Sequence, residues 1–566
     1  MPATLSYPGV YIDEVPSGAR AIVGVSTAVT AFVGRARRGP VGEPVDIASF
    51  GDFERIFGGV WRLGTLGHAV QMYFQNGGNR AVVVRLYEPA GPGPGPAATA
   101  EVKVGQAALE AVSPGTWASG LRVTVDWSVS DDVAAALGVA AADLFNLEIR
   151  DGDGNREYIR NVSLVSTPRA LARVLPLESS LVRMKPASPA LDALIAGVVT
   201  ARTNLAAAVA QSAAAQAATP QVPADITAAA AAVTAATTAL TTAQTAVRPA
   251  ATATAAVGGN DGANLTVASF TGNNAAANKT GLYALDRTDL FNLLCIPPFT
   301  ATDDVDPALF ADVVPLCERR RAMFLVGSPS TWTTVAAAQS NIGGFGITSA
   351  NAALFFPRLR LPDPTRGGEL RDFSACAAAA GVFARTDSER GLWKAPAGQD
   401  AALVGVPGLS VSLNDADNGL LNPLGINCIR ALPAAGRVIW GARTRRGDDR
   451  LASEWKYTPI RRLALFIEES LYRGTQWVVF EPNDELLWSQ IRLDVTAFMQ
   501  GLFRQGALQG KTPREAYYVR CDRDTTTAAD QRLGVVNINV GFAPLKPAEF
   551  VVLRIQQIVD TGTSEA

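Results

Sequence analysis

Histidine is almost absent: the 566 residues hold one, His68. A serine triad needs an imidazole as general base, and H-E-x-x-H or Cys/His zinc sites need several ligands close together. The five cysteines, Cys295, Cys317, Cys376, Cys428 and Cys521, stand far apart and form no C-x-x-C pair. With no signal-peptide pattern at the N-terminus, they read as reduced core residues of a chain made in the cytosol. No G-x-S-x-G elbow occurs. Net charge is also nearly missing: 50 Lys and Arg against 52 Asp and Glu leave −2, which excludes the strong field of a nucleic-acid or acidic-membrane binder. Long Leu/Ile runs are lacking, and the longest weakly polar stretch is alanine and threonine. No membrane span is therefore expected, and the chain reads as soluble. His68 lies in Leu66-Gly-His-Ala-Val70, a helix-like context far from the α/β-patterned region, and reads as a packed or surface histidine.

Three segments imitate ligand sites and fall short. Gly506-Ala-Leu-Gln-Gly-Lys511-Thr512 has three residues between its glycines where a P-loop needs four; Gln505 occupies the first glycine's position, and the segment ends a helix instead of opening one. Gly258-Gly-Asn-Asp-Gly262 lacks the spacing of a dinucleotide loop and reads as a turn. Asp151-Gly-Asp-Gly-Asn155 starts like a calcium loop, but Arg156 stands where glycine should and Val162 where glutamate should. Lying between two strand patterns, it reads as a hairpin turn. No cofactor and no metal are expected.

What is present is apolar patterning. Hydrophobic residues make up 48% of the chain, enough for several cores although alanine inflates the figure, and the length suggests roughly four domains of ~150 residues. The last hundred residues are the most legible. Ile460, Leu463, Ile467 and Leu471 share one helix face, closed by Gly474. Trp477-Val-Val-Phe480 reads as a strand. A second helix follows, with Asn483 as N-cap, acids in its first turn, and Leu487, Ile491, Val495, Phe498 and Leu502 on its apolar face. Val535 to Phe542 alternates strictly, the mark of a half-buried strand. Glu549 to Gln556 reads as a last strand, whose outer edge a partner chain is expected to cover.

Upstream, Tyr7 to Val15 is β-rich between prolines; residues alone leave open an edge strand of its own domain or a tethered arm. Residues 21–90 alternate strand, helix, helix, strand and end at the linker Gly91-Pro-Gly-Pro-Gly-Pro96. Residues 97–184 read as a mainly β module. Between Thr203 and Val247 the only charged side chain is Asp225. Leu191, Val198 and Leu205, then Ile226, Val233, Leu240 and Val247, are heptad-spaced around Pro220 and Pro223. Residues 185–257 thus read as an antiparallel helical hairpin, with a low-complexity linker as the competing reading. An α/β pattern fills 258–453.

Several long motifs carry a resemblance. Arg461-Arg462, Gly474-Thr-Gln-Trp477, Phe480-Glu-Pro-Asn483, Glu485-Leu-Leu-Trp488 and Gly541-Phe-Ala-Pro544 with Pro547-Ala-Glu-Phe550 resemble the C-terminal domain of contractile tail sheath proteins. That family covers myophage tails, R-type pyocins, type VI secretion sheaths and extracellular contractile injection systems. Leu421-Asn-Pro-Leu-Gly425 and Val438-Ile-Trp-Gly-Ala-Arg-Thr444 resemble its middle region, and Pro8-Gly-Val-Tyr-Ile12 its N-terminal arm. The resemblance lapses over 185–257, which looks like an insertion.

The resemblance implies an α/β and α+β multidomain chain: arm 1–20, a segment 21–90 folding with the C-terminal region, outer module 97–184, insertion 185–257, a subtilisin-like α/β domain 258–453, a C-terminal domain 454–547 and a second arm 548–566. It implies a non-enzymatic subunit that assembles with itself in hexameric rings around an inner tube, meeting baseplate and terminator proteins, first in the cytoplasm and then in a tail or tail-like particle. A non-contractile tail protein is the alternative, and a subtilisin-like hydrolase is disfavoured by the histidine count. Val10, Tyr11, Ile12 and Val15, with Phe550, Val551, Val552, Leu553 and Ile555, are the implied intersubunit arm residues. Arg492 and Arg504, on the polar side of their helix, stand between inner-tube contact and a solvated face. Arg385, Asp387, Arg390 and Lys394 are expected in salt bridges within or between subunits.

Overall fold

The computed structural model describes residues 21–91, 98–251, 253–300, 303–550 and 552. The expected N-terminal arm with Val10, Tyr11, Ile12 and Val15, most of the proline-glycine linker, and Val551, Leu553 and Ile555 lie outside them.

Runs such as Met323-Phe-Leu-Val326 and Ala81-Val-Val-Val84 have no polar alternate, the pattern of strands covered on both faces. They join one eight-stranded sheet, in the order Gly436–Ile439, Ile426–Leu432, Ala352–Phe356, Met323–Gly327, Leu293–Cys295, Thr30–Arg35, Ala81–Leu86, Pro44–Ile47. Inner neighbours are parallel; the two marginal strands run antiparallel. Helices Phe50–Phe57, Leu66–Gln75 and Cys376–Arg390 cover one face, and Phe310–Arg319 and Val335–Asn341 the other. The Cys376–Arg390 helix approaches closely because it is alanine-rich. At Gly381 an added Cβ would meet the Tyr73 carbonyl oxygen at 2.5 Å.

This arrangement corrects the expected place of residues 21–90. Three of their strands hydrogen-bond within the central sheet, Thr30–Arg35 pairing directly with Leu293–Cys295. Among the described residues, contact with the C-terminal region comes from the entering chain: Ile22 packs on its core, the Val25 amide donates to Ser470 Oγ and the Thr27 carbonyl accepts from Arg462. Parallel pairing across more than 250 positions leaves no local trace in a sequence.

Residues 100–184 form two four-stranded sheets packed face to face, each completed by a short strand from beyond the insertion, Thr254–Ala255 in one and Val257–Gly258 in the other. Residues 185–257 are mostly two helices, Pro189–Ala217 and Pro223–Val247. Leu191, Val198 and Val247 are buried, while Leu205, Ile226, Val233 and Leu240 are half-buried along the same seam. Threonine fits these helices because hydroxyls from Thr227 to Thr245 donate to carbonyls four residues back. Buried Asp143 holds the hairpin's root, accepting from Arg202 and, at 2.9 Å, from Gln244 Nε2. Contrary to the expectation of no span, both helices have the length and mean hydropathy (1.5 and 1.4) to cross a membrane. Their apolarity combines many alanines with Leu, Ile and Val, several of which face the seam or the sandwich core, and the two helices fold back on each other.

The C-terminal unit packs helix Thr458–Gly474 against helix Glu485–Arg504 over a core of Leu463, Ile467, Trp488, Ile491 and Val495. The N-cap of the second helix is Asp484, whose carboxylate accepts from the Leu487 amide at 3.0 Å, and not Asn483. Asn483 instead accepts from Trp488 Nε1 at 2.9 Å. Trp477–Phe480 is no strand: a 3-10 turn spans Gln476–Val478, and Phe480 is fully exposed with φ +73°. β-forming residues there have no neighbouring backbone to pair with among the described residues. The strand expected over Val535–Phe542 is shortened to Asn539–Phe542, because its partner Tyr517–Arg520 offers four residues. The alternation persists, with Val536, Ile538, Val540 and Phe542 all packed on the core.

Candidate functional site

The Tyr517–Arg520 and Asn539–Phe542 strands form a sheet of two. Among the described residues neither has a second partner. Each free edge offers unpaired N–H and C=O groups, so the arrangement accepts added strands. Beside it the chain leaves toward its C-terminus. The Ala543 amide donates to Ala516 O at 2.8 Å, and the chain then crosses from the C-terminal unit to the central sheet. The expected strand from Glu549 is not formed at its described residues: Glu549, Phe550 and Val552 have no ladder bonds, and Phe550 and Val552 are 75% and 78% exposed.

Glu549 turns inward. Its carboxylate accepts from Arg443 Nε at 2.7 Å and Nη2 at 2.8 Å, from Tyr457 OH at 2.9 Å and from Asn422 Nδ2 at 2.7 Å. Burial alone would raise its pKa; the bonds from Arg443, Asn422 and Tyr457 outweigh that and hold it below the usual carboxylate range. Burial and the carboxylate push the Tyr457 phenol up to about 12. Sequence reasoning placed Glu549 in a strand and missed this pairing. The one available signal was a lone acid at the head of an apolar run. A groove of about 630 Å³ lies alongside, lined by Trp393, Lys394, Asn418, Trp440, Tyr457 and Phe550.

The charged set resolves into internal bonds. Asp387 receives a bidentate Arg462 (2.8 and 2.6 Å), both side chains under 5% exposed. Arg390 pairs with Asp400, whereas Arg385 and Lys394 donate to backbone carbonyls. Arg492 is half-buried, bonded to Glu485 at 2.8 Å and to the Cys521 carbonyl, while Arg504 is exposed. The two tube-contact candidates are thus unlike: one is tied within its own subunit and one faces solvent.

His68 is not remote from the α/β region as expected. The strand pairing of residues 30–86 brings it to Asp363, Nε2 to Oδ1 3.2 Å, stacked on Phe373. Burial lowers its pKa although Asp363 pulls the other way. In the P-loop-like turn the amides of Gly506, Ala507 and Gln509 donate to protein carbonyls. In the calcium-loop mimic, Asp151 accepts from the Asp153 and Asn155 amides at 2.9 and 2.8 Å and from Arg38 at 3.2 Å. The groups that would cradle phosphate or calcium are already engaged. Among the described residues no cluster of His, Cys, Asp and Glu is placed to hold a metal ion.

Residues 271–445 match the family model of the phage tail sheath protein central domain and residues 452–558 that of the phage tail sheath C-terminal domain, together about half of the chain. A putative prophage major tail sheath protein of Pseudomonas aeruginosa (strain UCBPP-PA14) is 29% identical over 296 residues, 50% of this chain and 71% of that relative. The tail sheath protein of Burkholderia phage BcepMu is 30% identical over 42% of this chain and 51% of its own length. Among solved structures, the sheath complex of an extracellular contractile injection system (PVC) in its contracted state superposes with TM-score 0.54 at 19% identity, covering 98% of this chain and 99% of that one. The helical sheath of the anti-feeding prophage, also contracted, gives 0.53 at 22%, covering 98% and 100%. At such identities these likenesses speak to fold.

Proposed function

The chain belongs to the phage tail sheath protein family, and from that premise we propose that it polymerises as stacked hexameric rings around an inner tube and contracts to drive that tube through a target envelope. Its work is mechanical and not enzymatic. The subtilisin-like character expected of the central domain is a matter of fold, and the one histidine is spent on Asp363. Its partners are further copies of itself, the tube protein, and the baseplate and terminator proteins that close the two ends of a tail or tail-like particle.

The observation that carries this reading is the two-stranded C-terminal hairpin with free edges, beside which the chain departs with Phe550 and Val552 exposed. Arms from neighbours, including Val10, Tyr11, Ile12 and Val15 at one end and Val551, Leu553 and Ile555 at the other, complete that sheet. Each ladder bond contributes about 0.5–1.5 kcal/mol net, and an arm of twenty residues reaches up to ~66 Å at ~3.3 Å per residue. Rings joined this way stay connected while the domains rotate. Arg504, exposed on the Glu485–Arg504 helix, is the better placed of the two arginines to touch the tube, with Arg492 held back by Glu485. Deleting residues 1–20 tests the reading: the expected result is a soluble, cooperatively folding chain that forms no cylinders. Cylinders of normal length from that variant would overturn it.

A further inference from the structure

The route of the chain after Phe542 has a mechanical consequence. It is held once at the C-terminal unit, where Gln509 N donates to Ala543 O and Leu508 bridges to Pro544. It is held again seven residues past Phe542, at Glu549. Around that second point the described neighbours Ala548, Phe550 and Val552 are exposed, so the inward-turned Glu549 side chain is what fastens the chain there.

The fastening is built into the central sheet. Arg443 is fully buried. Its Nη1 donates to Asn422 O at 2.9 Å and Gly447 O at 3.1 Å, and to Asp449 at 3.1 Å. Its own backbone is clamped by Asn427 of the Ile426–Leu432 strand, N to Oδ1 2.7 Å and O to Nδ2 2.8 Å. At Gly441 an added Cβ would fall 2.9 Å from Asn427 Cα, so the two segments lie backbone to backbone. Two parallel guanidinium bonds, a phenol and an amide converge on one carboxylate. A paired fork of this kind must break both bonds at once.

We infer that Glu549 is a mechanical anchor: a pull on the segment beyond it enters the central sheet through Arg443 and leaves the Tyr517–Phe542 hairpin unloaded. Tension arriving from residue 550 onward meets Glu549 before it meets the strap 543–548. While the clasp holds, the strap carries nothing and the free-edged hairpin keeps its shape. In a contracting cylinder, which rests on the sheath reading, the arm could then be drawn without unzipping the sheet that receives a neighbour's strands. The anchor itself does not depend on that reading.

The test is single-molecule pulling on the full chain, with one handle at the C-terminus and the other at a cysteine replacing exposed Leu493. The intact protein should show a discrete step of up to about 1.7 nm, the five residues 545–549 at ~3.3 Å each, before the two-stranded sheet yields. Glu549→Gln, which keeps the shape and loses the charge, should yield that length at lower force with no distinct step. Hydrogen exchange on the same variants shows whether folding survives. In Glu549→Gln, amides of the Met323–Gly327 and Ala352–Phe356 strands should exchange as in the parent. Identical traces in both proteins would overturn the anchor. So would a wild-type trace in which the hairpin opens first. If the anchor tests succeed and the wild-type chain forms no cylinders, the sheath reading fails and the anchor stands.

Discussion

Removing the Asp387 carboxylate should loosen the C-terminal unit from the central domain. The pair it makes with Arg462 is the most enclosed ion pair between them, with side chains 4% and 3% exposed and N···O distances of 2.6 and 2.8 Å. Asp387→Ala leaves a guanidinium in a dry site. Breaking a buried pair on one side costs about 3–5 kcal/mol. Arg462 keeps a bond to Thr27 O at 3.0 Å and lies over the Phe383 ring at 5.0 Å, so the lower end, about 3 kcal/mol, is expected. For a unit of roughly a hundred residues, each kcal/mol moves the midpoint by about 4–8 °C, which gives a fall of about 12–24 °C. Differential scanning calorimetry supplies the midpoint. Hydrogen exchange at the Thr458–Gly474 and Glu485–Arg504 helices identifies the unit that melts, since a chain of several domains need not unfold in one step. The double change Asp387→Leu with Arg462→Met removes both charges and should return to within about 1 kcal/mol of the parent. A fall below about 2 °C in the single variant, or a double variant as damaged as the single, would refute the argument.

Other consequences follow from the same structure. Val552→Pro should fold as a monomer yet fail to form or contract cylinders, whereas Val552→Ile assembles normally; sedimentation and negative-stain imaging with the inner tube present separate the two. Replacing residues 185–257 by a short Gly-Ser linker that still supplies the two strands Thr254–Ala255 and Val257–Gly258 should give cylinders of thinner outline; aggregation would show the hairpin to be structural. Because burial holds His68 below its ordinary value, the unfolded chain binds that proton first as pH falls. Stability is therefore lost below about pH 6.5, and thermal midpoints of His68→Asn across pH 5–7 should fall less steeply than those of the parent.

Legibility followed range. The two C-terminal helices were readable because apolar spacing and caps are local, and the boundary error there was a single residue, Asp484 for Asn483. The two helices within residues 185–257 were readable from their heptads, which the burial of Leu191, Val198 and Val247 matches. What failed depended on distant partners. Residues 30–86 joined a sheet whose next strand begins at Leu293. Trp477–Phe480 had the composition of a strand and, among the described residues, nothing to pair with. The edge-strand reading of Glu549 concealed a carboxylate that answers an arginine 106 positions earlier. His68 met Asp363 for the same reason, through pairing that no window of sequence contains.

The central claim is that this chain assembles into a contractile cylinder. Electron microscopy of the purified full-length protein, with and without the inner-tube protein, tests it most directly. Long hollow cylinders with six-fold rings, present in a narrow, long form with the tube and a wide, short form after triggering, are the expected result. Discrete globular particles under every condition, or cylinders of one fixed diameter that never shorten, would contradict it.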